Sequence, residues 1–435
     1  MLSEFKKHIT HNFANLVEDR FLLACSGGLD SIVLAHLCTR LNLDFHLAHC
    51  NFRLRGEASD GDEQFVEKTA SYLHKYFHVT HFDTVGYMNK NGVNVQVAAR
   101  ELRYAWFAEL MLDNQIPTLV TAHHADDNLE TFLINLSRGT GIDGLTGIPE
   151  KTATISRPLL PFSRKQILEF ATSENLKWRE DSSNSDLKYL RNKIRHELVP
   201  VMKELHPTFL DNFKNTLSNL SDTALIFDNH VKELATKIFE PTTEGFRILI
   251  SELEVLNPQK SYVRALFKSY GFTAYNDIIQ LLHGLSGKEV HSKTHRLIRD
   301  RDYLLLTDLK PKLNDEFLIL DDDQQITVPV GMQINAVKTI KNTGVHVWYC
   351  DKDALKYPLV VRKWEKGDYF YPFGMNGKKK ISKYFKDEKM DVLSKEKQWL
   401  LCSGNQIIWV IGKRGDRRFA VTDQTKEIIK FEITS

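Results

Sequence analysis

A glycine-rich hexapeptide, at the junction of a predicted strand and a predicted helix, is the feature that constrains this chain most. The hexapeptide Ser26–Ser31 reads Ser-Gly-Gly-Leu-Asp-Ser and follows the apolar run Phe21–Cys25, which has the length of a buried strand. The apolar residues 32–38 that come next predict a helix. Glycines and hydroxyls at such a junction place backbone N–H groups at the positive end of a helix, where phosphate binds. The alternative is a simple tight turn.

The absence of one residue from the loop argues against one class of reaction. The loop lacks the lysine of G-x-x-x-x-G-K-[ST], so we do not expect the γ-phosphoryl transfer of kinases and GTPases. Asp30 lies where its carboxylate could bind Mg²⁺. The loop therefore predicts a pyrophosphate seat, with six nucleotide-binding residues: Ser26, Gly27, Gly28, Leu29, Asp30 and Ser31.

Composition excludes several classes of protein. The 435 residues suffice for about three domains of ~150 residues. The five cysteines contain no C-x-x-C pair, which argues against a disulfide framework, a zinc site and a dithiol redox centre. A net charge of only +2 means that any nucleic-acid surface must be a local patch. Because no signal peptide and no run of about 20 apolar residues occurs, we expect a cytoplasmic protein.

Strand-like and helix-like segments alternate between residues 21 and about 136. The predicted strands are Phe21–Cys25, Phe45–Cys50, Val79–Val85 and Thr118–Ala122. The predicted helices are Ser31–Leu41, Asp62–Phe77 and Val97–Asn114. This alternation predicts an α/β fold, a Rossmann-like parallel sheet covered on both faces, with its ligand site at the carboxyl ends of the strands. Polar clusters at 49–51 and 123–127 follow two of these strands, as the glycine loop follows the first.

The pattern changes after Pro200. Residues 206 to about 310 carry helical periodicity with charged faces and predict a small helical domain. Lys310–Asp315 is typical of a linker, and short β-rich segments around one helix follow it, which predicts a C-terminal α+β domain. We therefore expect three domains, at 1–205, 206–312 and 313–435.

A cluster of acidic residues opens the helix predicted after the fourth strand. Asp126 and Glu130 are four residues apart and so share one helix face. They could bind Mg²⁺ together with Asp30, or one could act as a general base. The predicted catalytic residues are therefore Asp30, Asp126 and Glu130, with Asp30 and Asp126 as magnesium ligands. For Asp127 we prefer a structural role at the positive end of the helix.

Arginines recur on two predicted helices. Arg100 and Arg103 are three residues apart, and each could bind phosphate in bidentate fashion or form a salt bridge. Arg191 and Arg195 are four residues apart, where like charges repel unless an anion such as an RNA phosphate lies between them. His123 is expected to contact phosphate or to make an ordinary hydrogen bond, since two adjacent histidines alone are a weak zinc signal.

Basic and aromatic residues are interleaved in the C-terminal part, over residues 362–386. Cations bind phosphates and aromatic rings stack on bases, so this pattern favours a nucleic-acid surface. The alternative is the core of a small β-domain with a solvated lysine tail. The candidate substrate-binding residues of this segment are Lys378, Lys379, Lys380 and Lys383.

Together these motifs resemble those of the tRNA(Ile)-lysidine synthases, a family of N-type ATP pyrophosphatases. The whole superfamily shares the loop at 26–31, whereas A-R-x-x-R-Y-x-W-F at 99–107 and H-H-A-D-D-x-x-E-T at 123–131 are narrower. Further motifs of the family stand at 49–55, 62–65, 138–145, 157–160, 191–195 and 367–375. The resemblance spans residues 20–200 and about 355–420. Phe52 departs from it, because the family often has a histidine there.

The resemblance implies ATP and Mg²⁺ as cofactors and a two-step reaction. ATP adenylates the C2 carbonyl oxygen of the wobble cytidine in the CAU anticodon of isoleucine tRNA, which releases pyrophosphate. The amine of L-lysine then displaces AMP. By this resemblance Glu130 would act as base or contact the lysine ammonium. The residues that would hold the RNA or stabilise leaving-group charge are Arg100, Arg103, Arg191, Asn192 and Arg195, and the C-terminal module would bind the tRNA body.

Three alternatives remain open at this point. A tRNA thiolase of the same superfamily usually needs a C-x-x-C pair, which is missing, and an amidotransferase would have no use for the basic C-terminal module. An RNA-binding protein with a relic ATP site would not need the intact loop and the cluster at 123–131. The sequence leaves open whether the chain forms a homodimer.

Overall fold

A computed structural model describes residues 1–180, 190–309, 316–341 and 343–434 of the chain. The chain divides into two compact units, Met1–Asn229 and His230–Ser435. The predicted linker Lys310–Asp315 lies outside the described residues.

The first unit is built on a parallel five-stranded sheet in the order β3-β2-β1-β4-β5. Its strands are β1 (Phe21–Ala24), β2 (Phe45–Asn51), β3 (Phe77–His81), β4 (Thr118–Val120) and β5 (Ile155–Ser156). Phe21 pairs with Phe45 on one side and with Thr118 on the other, so β1 is central. This sheet confirms the predicted α/β fold.

Eleven helices surround this sheet among the described residues, and a twelfth contains the division point between the units. They are α1 (Leu2–Asn12), α2 (Ala14–Glu18), α3 (Leu29–Arg40), α4 (Glu57–Tyr72), α5 (Thr84–Asn91), α6 (Val95–Asp113), α7 (Ala125–Ser137), α8 (Ile142–Leu145), α9 (Arg164–Ser173), α10 (Leu190–Lys193), α11 (Val199–Glu204) and α12 (Phe209–Ile238). A π-helical segment, Ile194–Leu198, joins α10 to α11.

Successive residues of β1 face two different cores, as the two-residue period of a strand requires. Phe21 and Leu23 pack in a large core that includes Val33 of α3 and Ile167 of α9. Leu22 packs on the opposite face of the sheet with Phe107 of α6. Burial on both faces explains why the strand is an unbroken apolar run.

Some elements of this unit lie elsewhere than predicted, and others were not predicted. The helix predicted at Asp62–Phe77 lies at Glu57–Tyr72. The strand predicted at Val79–Val85 lies at Phe77–His81. Asp83 ends it, because its carboxylate accepts a hydrogen bond from the backbone N–H of Gly86 (2.9 Å) and so caps α5. Neither α5 nor the two-residue strand β5 was predicted.

The second unit contains three larger antiparallel sheets and one ribbon among its described residues, in the orders β6-β7-β10-β9-β8, β11-β15-β18-β19, β12-β13-β20-β14 and β16-β17. The strands are β6 (Phe239–Thr242), β7 (Gly245–Leu249), β8 (Glu289–His291), β9 (His295–Asp300), β10 (Tyr303–Asp308), β11 (Phe317–Ile319), β12 (Gln325–Ile326), β13 (Met332–Val337), β14 (Val347–Asp351), β15 (Leu359–Lys363), β16 (Tyr369–Phe370), β17 (Lys379–Lys380), β18 (Trp399–Ser403), β19 (Gln406–Val410) and β20 (Ile428–Ile433). The helices are α13 (Ile250–Glu254), α14 (Gln259–Phe267), α15 (Tyr275–Leu282), α16 (Ile381–Asp387) and α17 (Val392–Lys397).

The helices predicted between residues 206 and 310 are present as α12, α14 and α15. The antiparallel sheet β6–β10, between residues 239 and 308, was not predicted. Its strand β9 reads His-Arg-Leu-Ile-Arg-Asp, so charged residues flank a short apolar centre and conceal the strand pattern. None of the helices in the described part of the chain is long and apolar enough to cross a membrane.

Candidate active site

The glycine loop joins the carboxyl end of β1 to the first turn of α3. Gly27 has φ +85°, and a Cβ atom at this position would lie 3.2 Å from Cγ2 of Val66, so glycine is required there. Gly28 precedes the first residue of α3, and no side chain of the described residues caps that helix. The first N–H groups of α3 are therefore free to bind an anion.

Two hydroxyl groups and a neighbouring segment fix this loop. The Ser31 hydroxyl donates to the carbonyl oxygen of Gly28 (3.0 Å) and lies 3.3 Å from the Ser26 hydroxyl. The backbone N–H of Arg179 donates to the carbonyl oxygen of Gly27 (3.0 Å). The side chain of Leu29 is buried in the core, so this residue can meet a ligand only through its backbone.

His124 connects the glycine loop to α7. It caps α7, because its Nδ1 accepts from the backbone N–H of Asp127 (3.3 Å) while the Asp127 carboxylate accepts from the backbone N–H of His124 (3.1 Å). Nε2 of His124 lies 3.6 Å from Oδ1 of Asp30. Burial alone would lower the pKa of His124, but the carboxylates of Asp127 and Asp30 outweigh burial and raise that pKa.

Glu130 lies beneath two arginines of the helical segment at 190–198. Its side chain is 1% exposed. Arg191 Nε donates to Oε2 (2.8 Å), and Arg195 donates from Nε to Oε1 (2.5 Å) and from Nη2 to Oε2 (3.0 Å). Both guanidinium groups also donate to Oδ1 of Asp127, at 2.9 and 3.1 Å. The repulsion expected between Arg191 and Arg195 is thus offset by two protein carboxylates.

These contacts shift the pKa values of the cluster. Burial would raise the pKa of Asp127, but His124 and Arg191 outweigh it and hold that pKa at about 2. Burial would lower the pKa of Arg195, but Glu130 and Asp127 raise it. Asp127 and Arg195 are therefore both ionised near neutral pH.

Asp126 and Asp30 differ in what their carboxylates contact. Asp126 Oδ2 accepts from the backbone N–H of Arg164 (2.9 Å), and Oδ1 pairs with Lys203. Oδ1 of Asp30 is buried without a hydrogen-bond partner among the described residues. A carboxylate oxygen without a partner fits a Mg²⁺ ligand, so Asp30 suits this role. The magnesium role predicted for Asp126 stays a prediction that its contacts do not support, and no cluster of three metal-ligating side chains occurs in the described ranges.

The loop and the α7 cluster face one cavity of about 400 Å³ at the carboxyl edge of the sheet. Predicted site residues that line it are Ser26, Asp30, Ser31, Arg103, His123 and Arg191. Residues that line it without having been predicted to are Ala24, Cys25, Ala48, Cys50, Phe52, Tyr104, Phe107, Thr121, Ala122 and Asp127. Asp127, expected to be structural, caps α7 and also borders the cavity, whereas Glu130 and Asp126 are not among the residues that line it.

The wall formed by α6 carries arginines with aromatic neighbours. The Arg103 guanidinium lies 5.2 Å from the centre of the Phe52 ring, and the Arg100 guanidinium lies 4.8 Å from that of Tyr104. Phe52 is also stacked on Phe82, at 5.4 Å between centroids. Neither arginine forms an ion pair within the described ranges. Phe52 thus supports an arginine at the cavity.

His123 is a neutral hydrogen-bonding group at this site. Burial, with smaller contributions from Arg157 and Arg191, outweighs Asp127 and lowers the pKa of His123 to about 4. Its Nδ1 lies 2.9 Å from the Thr121 hydroxyl. Near pH 7 His123 can therefore contact a phosphate as a neutral donor, without adding charge.

Comparison with known proteins assigns the chain to a family. The family model described as a PP-loop domain matches residues 1–202, the TilS substrate binding domain matches 241–310, and the TilS substrate C-terminal domain matches 359–432. A tRNA(Ile)-lysidine synthase of Parabacteroides distasonis is 40% identical, over 95% of both chains. The chain belongs to the tRNA(Ile)-lysidine synthase family.

Two more members of the family are similar over nearly their whole length. The synthase of Bacteroides thetaiotaomicron is 36% identical over 98% of both chains, and that of Porphyromonas gingivalis is 35% identical over 94% of this chain and 93% of its own. The predicted family and its ligase class are thereby confirmed. The PP-loop domain also implies that the protein uses ATP, and the two substrate domains support binding of tRNA.

The predicted basic surface lies within the region that the family's C-terminal domain model matches. Lys378 lies 5.1 Å from the centre of the Tyr369 ring, and Lys380 and Lys383 are exposed. Lys379 instead forms an ion pair with Asp387 (2.7 Å). The four lysines therefore differ in how free they are to bind a phosphate.

Sequence reasoning missed several residues of the cavity wall. Tyr104 stands inside the quoted motif at 99–107, and Thr121 lies within the predicted strand Thr118–Ala122, so both positions were marked but not assigned a role. His124 carried a signal as well, because it precedes a predicted helix as a capping residue does.

Proposed function

We propose that the protein ligates L-lysine to C2 of the wobble cytidine in the CAU anticodon of isoleucine tRNA. The reaction passes through an adenylated cytidine, releases pyrophosphate and AMP, and takes place in the cytoplasm. The observation that supports this most is that the glycine loop and the α7 cluster border one cavity. A nucleotide phosphate and a cationic amine can be bound there side by side.

The first step needs a site that stabilises negative charge on the leaving pyrophosphate. The free N–H groups at the start of α3 and the hydroxyls of Ser26 and Ser31 would hold phosphate oxygens. Arg191 borders the same cavity and would face the developing charge. When Mg²⁺ is bound, it would neutralise phosphate charge at Asp30.

The second step needs carboxylates near an incoming ammonium group. Asp127 borders the cavity, and with a pKa of about 2 it stays charged and can bind the ammonium, although it is a poor base. Glu130 is covered by its arginines in the state described. We infer that Glu130 positions Arg191 and Arg195, and that it reaches the amine only when these arginines move.

Thiolation is disfavoured as the alternative reaction. Cys25 and Cys50 border the cavity, where a sulfur-transfer enzyme would need a reactive thiolate. Burial raises the pKa of Cys50 to about 12, and burial also raises that of Cys25. Both thiols are therefore protonated near neutral pH.

RNA binding would involve both units. On the cavity side we propose Arg100, Arg103, His123, Arg191, Asn192 and Arg195. In the C-terminal unit we propose Lys378, Lys379, Lys380 and Lys383. We also propose three domains at 1–205, 206–312 and 313–435, which the three matched family regions support. A homodimer stays a prediction.

The substitution Asp30→Asn tests this assignment of roles. It keeps the shape of the side chain but removes the charge that would hold Mg²⁺, so tRNA-dependent AMP formation should fall by about 1000-fold or more. Binding of the tRNA should persist. Asp113→Asn, at an exposed position of α6, is the matched control and should keep full activity. Full activity of Asp30→Asn would refute the role proposed for the loop carboxylate.

A further inference from the structure

Arg179 links the glycine loop to helix α4, and the proposed function gives this residue no role. Its backbone N–H donates to the carbonyl oxygen of Gly27 (3.0 Å), and its side-chain Nε donates to Oδ1 of Asp62 (2.6 Å). Asp62 lies in the second turn of α4, 117 residues before Arg179 in the sequence. One residue therefore connects the loop to a helix beside it.

The carboxylate that holds Arg179 is itself fixed in place. Asp62 is 8% exposed, and its second oxygen, Oδ2, accepts from Nη2 of Arg55 (2.7 Å). Each oxygen of one buried carboxylate thus accepts from a different guanidinium group, and such charge-assisted hydrogen bonds are stronger than neutral ones. Asp62 therefore gives the Arg179 side chain a firm attachment point on α4.

Gly61 leaves room on α4 for the Arg179 side chain. A glycine inside a helix is destabilising relative to alanine, so its presence there needs a reason. A Cβ atom at Gly61 would lie 3.1 Å from Nη2 of Arg179 and 3.5 Å from its Cζ. The close approach of the guanidinium explains the glycine, which indicates that α4 is adapted to this contact.

The backbone bond of Arg179 fixes the direction of an N–H group in the loop. A peptide unit is planar and trans, so its C=O and its N–H point in opposite directions. Because the carbonyl of Gly27 points to Arg179, the N–H of Gly28 in the same peptide points away from it. Among the described residues this N–H meets only the Ser26 hydroxyl, at a long 3.4 Å. It stands at the start of α3, where a phosphate would accept from it.

Two consecutive glycines make such a restraint useful. Gly27 has φ +85°, and glycine has access to more backbone conformations than any other residue. Without a restraint the peptide between Gly27 and Gly28 can rotate, and ordering it when a ligand binds lowers the affinity. A restraint that exists before binding avoids this cost.

We propose that Arg179 is a positioning residue: tied to Asp62, it keeps the N–H of Gly28 directed at a phosphate of ATP. Arg179 is not among the residues that line the cavity, so it acts through the loop and does not touch the nucleotide. The proposal rests on the proposed function only in that the loop binds the pyrophosphate part of ATP.

Arg179→Ala tests the proposal, because it removes the side-chain bond to Asp62 and keeps the backbone N–H. We expect the dissociation constants of ATP and of inorganic pyrophosphate, measured by calorimetry with Mg²⁺ and without tRNA, to rise roughly fivefold. The dissociation constant of adenosine should stay unchanged, since adenosine has no phosphate. In tRNA-dependent turnover the KM for ATP should rise by a similar factor, while kcat and the KM for tRNA stay unchanged.

Two further variants bracket this result. Arg179→Lys should recover most of the lost affinity, because a lysine can still pair with Asp62. The matched control is Arg40→Ala, which removes a partly exposed arginine that pairs with Glu174 at the other end of α3. Since Arg40 has no link to the loop, this control should leave the dissociation constants of all three ligands unchanged.

Gly61→Leu tests the attachment to α4. The leucine side chain would occupy the space of the Arg179 guanidinium, so this variant should weaken ATP binding about as much as Arg179→Ala does. In the Arg179→Ala background it should add nothing, because the bond to Asp62 is already lost. Additive losses would show that Gly61 acts independently of Arg179 and would overturn the attachment.

The outcomes separate this proposal from the proposed function. If Arg179→Ala binds ATP and pyrophosphate as the wild type does, the positioning role is overturned and the proposed function stands. An equal loss of adenosine binding would also overturn it, because the effect would not act through the phosphate loop. If the wild type binds neither ATP nor pyrophosphate, the role of the loop fails and the proposal fails with it. Should Gly61→Leu fail to fold, Arg179→Ala still decides.

Discussion

Two groups of arginines surround the candidate site, and they differ in their partners. Arg191 and Arg195 donate to the buried carboxylates of Glu130 and Asp127. Arg100, Arg103 and Arg157 have no carboxylate partner in the described ranges, and aromatic rings or carbonyl oxygens accompany them instead. The same side chain is thus used in two electrostatic settings around one cavity.

This difference separates two tasks. Paired arginines are held in place before any substrate arrives, which suits a group that must face charge developing during a reaction. Arginines without a carboxylate leave positive charge that an arriving anion can neutralise, which suits binding. We therefore expect changes to the paired group to alter activity and stability more than tRNA affinity, and changes to the second group to alter mainly affinity.

Among changes that test the two groups of arginines, Glu130→Gln should have the largest effect. It removes the charge that holds Arg191 and Arg195, and we expect lysidine formation to fall on the order of 100-fold or more. The free energy of unfolding should fall by about 2 kcal/mol, less than for a fully buried pair because Arg191 is 41% exposed. Kinetics and urea unfolding measure the two effects. The control Glu109→Gln, at an exposed position of α6, should change neither the kinetics nor the free energy of unfolding. If Glu130→Gln has wild-type kinetics, the paired arginines have no part in the mechanism.

His123 should make stability depend on pH. Its pKa is about 4 in the folded protein and about 6.5 when unfolded, so between these values the unfolded chain takes up a proton that the folded protein does not. The contribution of neutral His123 to the free energy of unfolding is complete above pH 6.5. On the order of 2 kcal/mol of it is lost as the pH falls toward 4. Urea unfolding at pH 7 and pH 4.5 should show a smaller acid loss for His123→Gln than for the wild type. The exposed control His11→Gln should keep the wild-type loss.

If the two groups of arginines have different tasks, Arg100→Gln should change tRNA binding and Arg195→Gln should change stability. Arg100→Gln should weaken tRNA binding about tenfold, lower the salt slope by about 0.7 to 0.9, and leave stability unchanged. Arg195→Gln should lower stability, because Glu130 and Asp127 each lose a partner. Arg20 precedes β1 and pairs with Asp44 (2.8 Å). Arg20→Gln removes one positive charge as Arg100→Gln does, so it is the charge-matched control for tRNA binding. Equal losses of stability in both variants would abolish the distinction.

The lysines of the C-terminal unit should show the same contrast on a smaller scale. Lys380 is exposed, whereas Lys379 pairs with Asp387. We expect Lys380→Gln to weaken tRNA binding about threefold and Lys379→Gln to weaken it less, as measured by anisotropy at two salt concentrations. A larger effect of Lys379→Gln would show that ion pairing does not determine which lysines bind RNA.

The parts of the molecule that local patterns specify could be predicted from the sequence. The glycine loop and the parallel sheet follow from an apolar strand, a turn that requires glycine and a helix that begins at once. The partners of Glu130 could not be predicted, because Arg195 is 65 residues away and only tertiary packing brings it there.

The second unit shows another limit. The sheet β6–β10 has short strands with charged ends, and its neighbours along the chain are helices with strong periodicity. The sequence therefore predicted a helical domain for this region, whereas the structure contains both helices and the sheet β6–β10.

Lysine-dependent turnover of ATP on two tRNAs with the same anticodon tests the central claim most directly. The wild-type protein is incubated with ATP, Mg²⁺ and L-lysine, and with either the isoleucine tRNA or the methionine tRNA that carries CAU. We predict that AMP and pyrophosphate form with the isoleucine tRNA only, and that lysidine appears in that RNA. Equal turnover on the methionine tRNA, or turnover without RNA, would contradict the account.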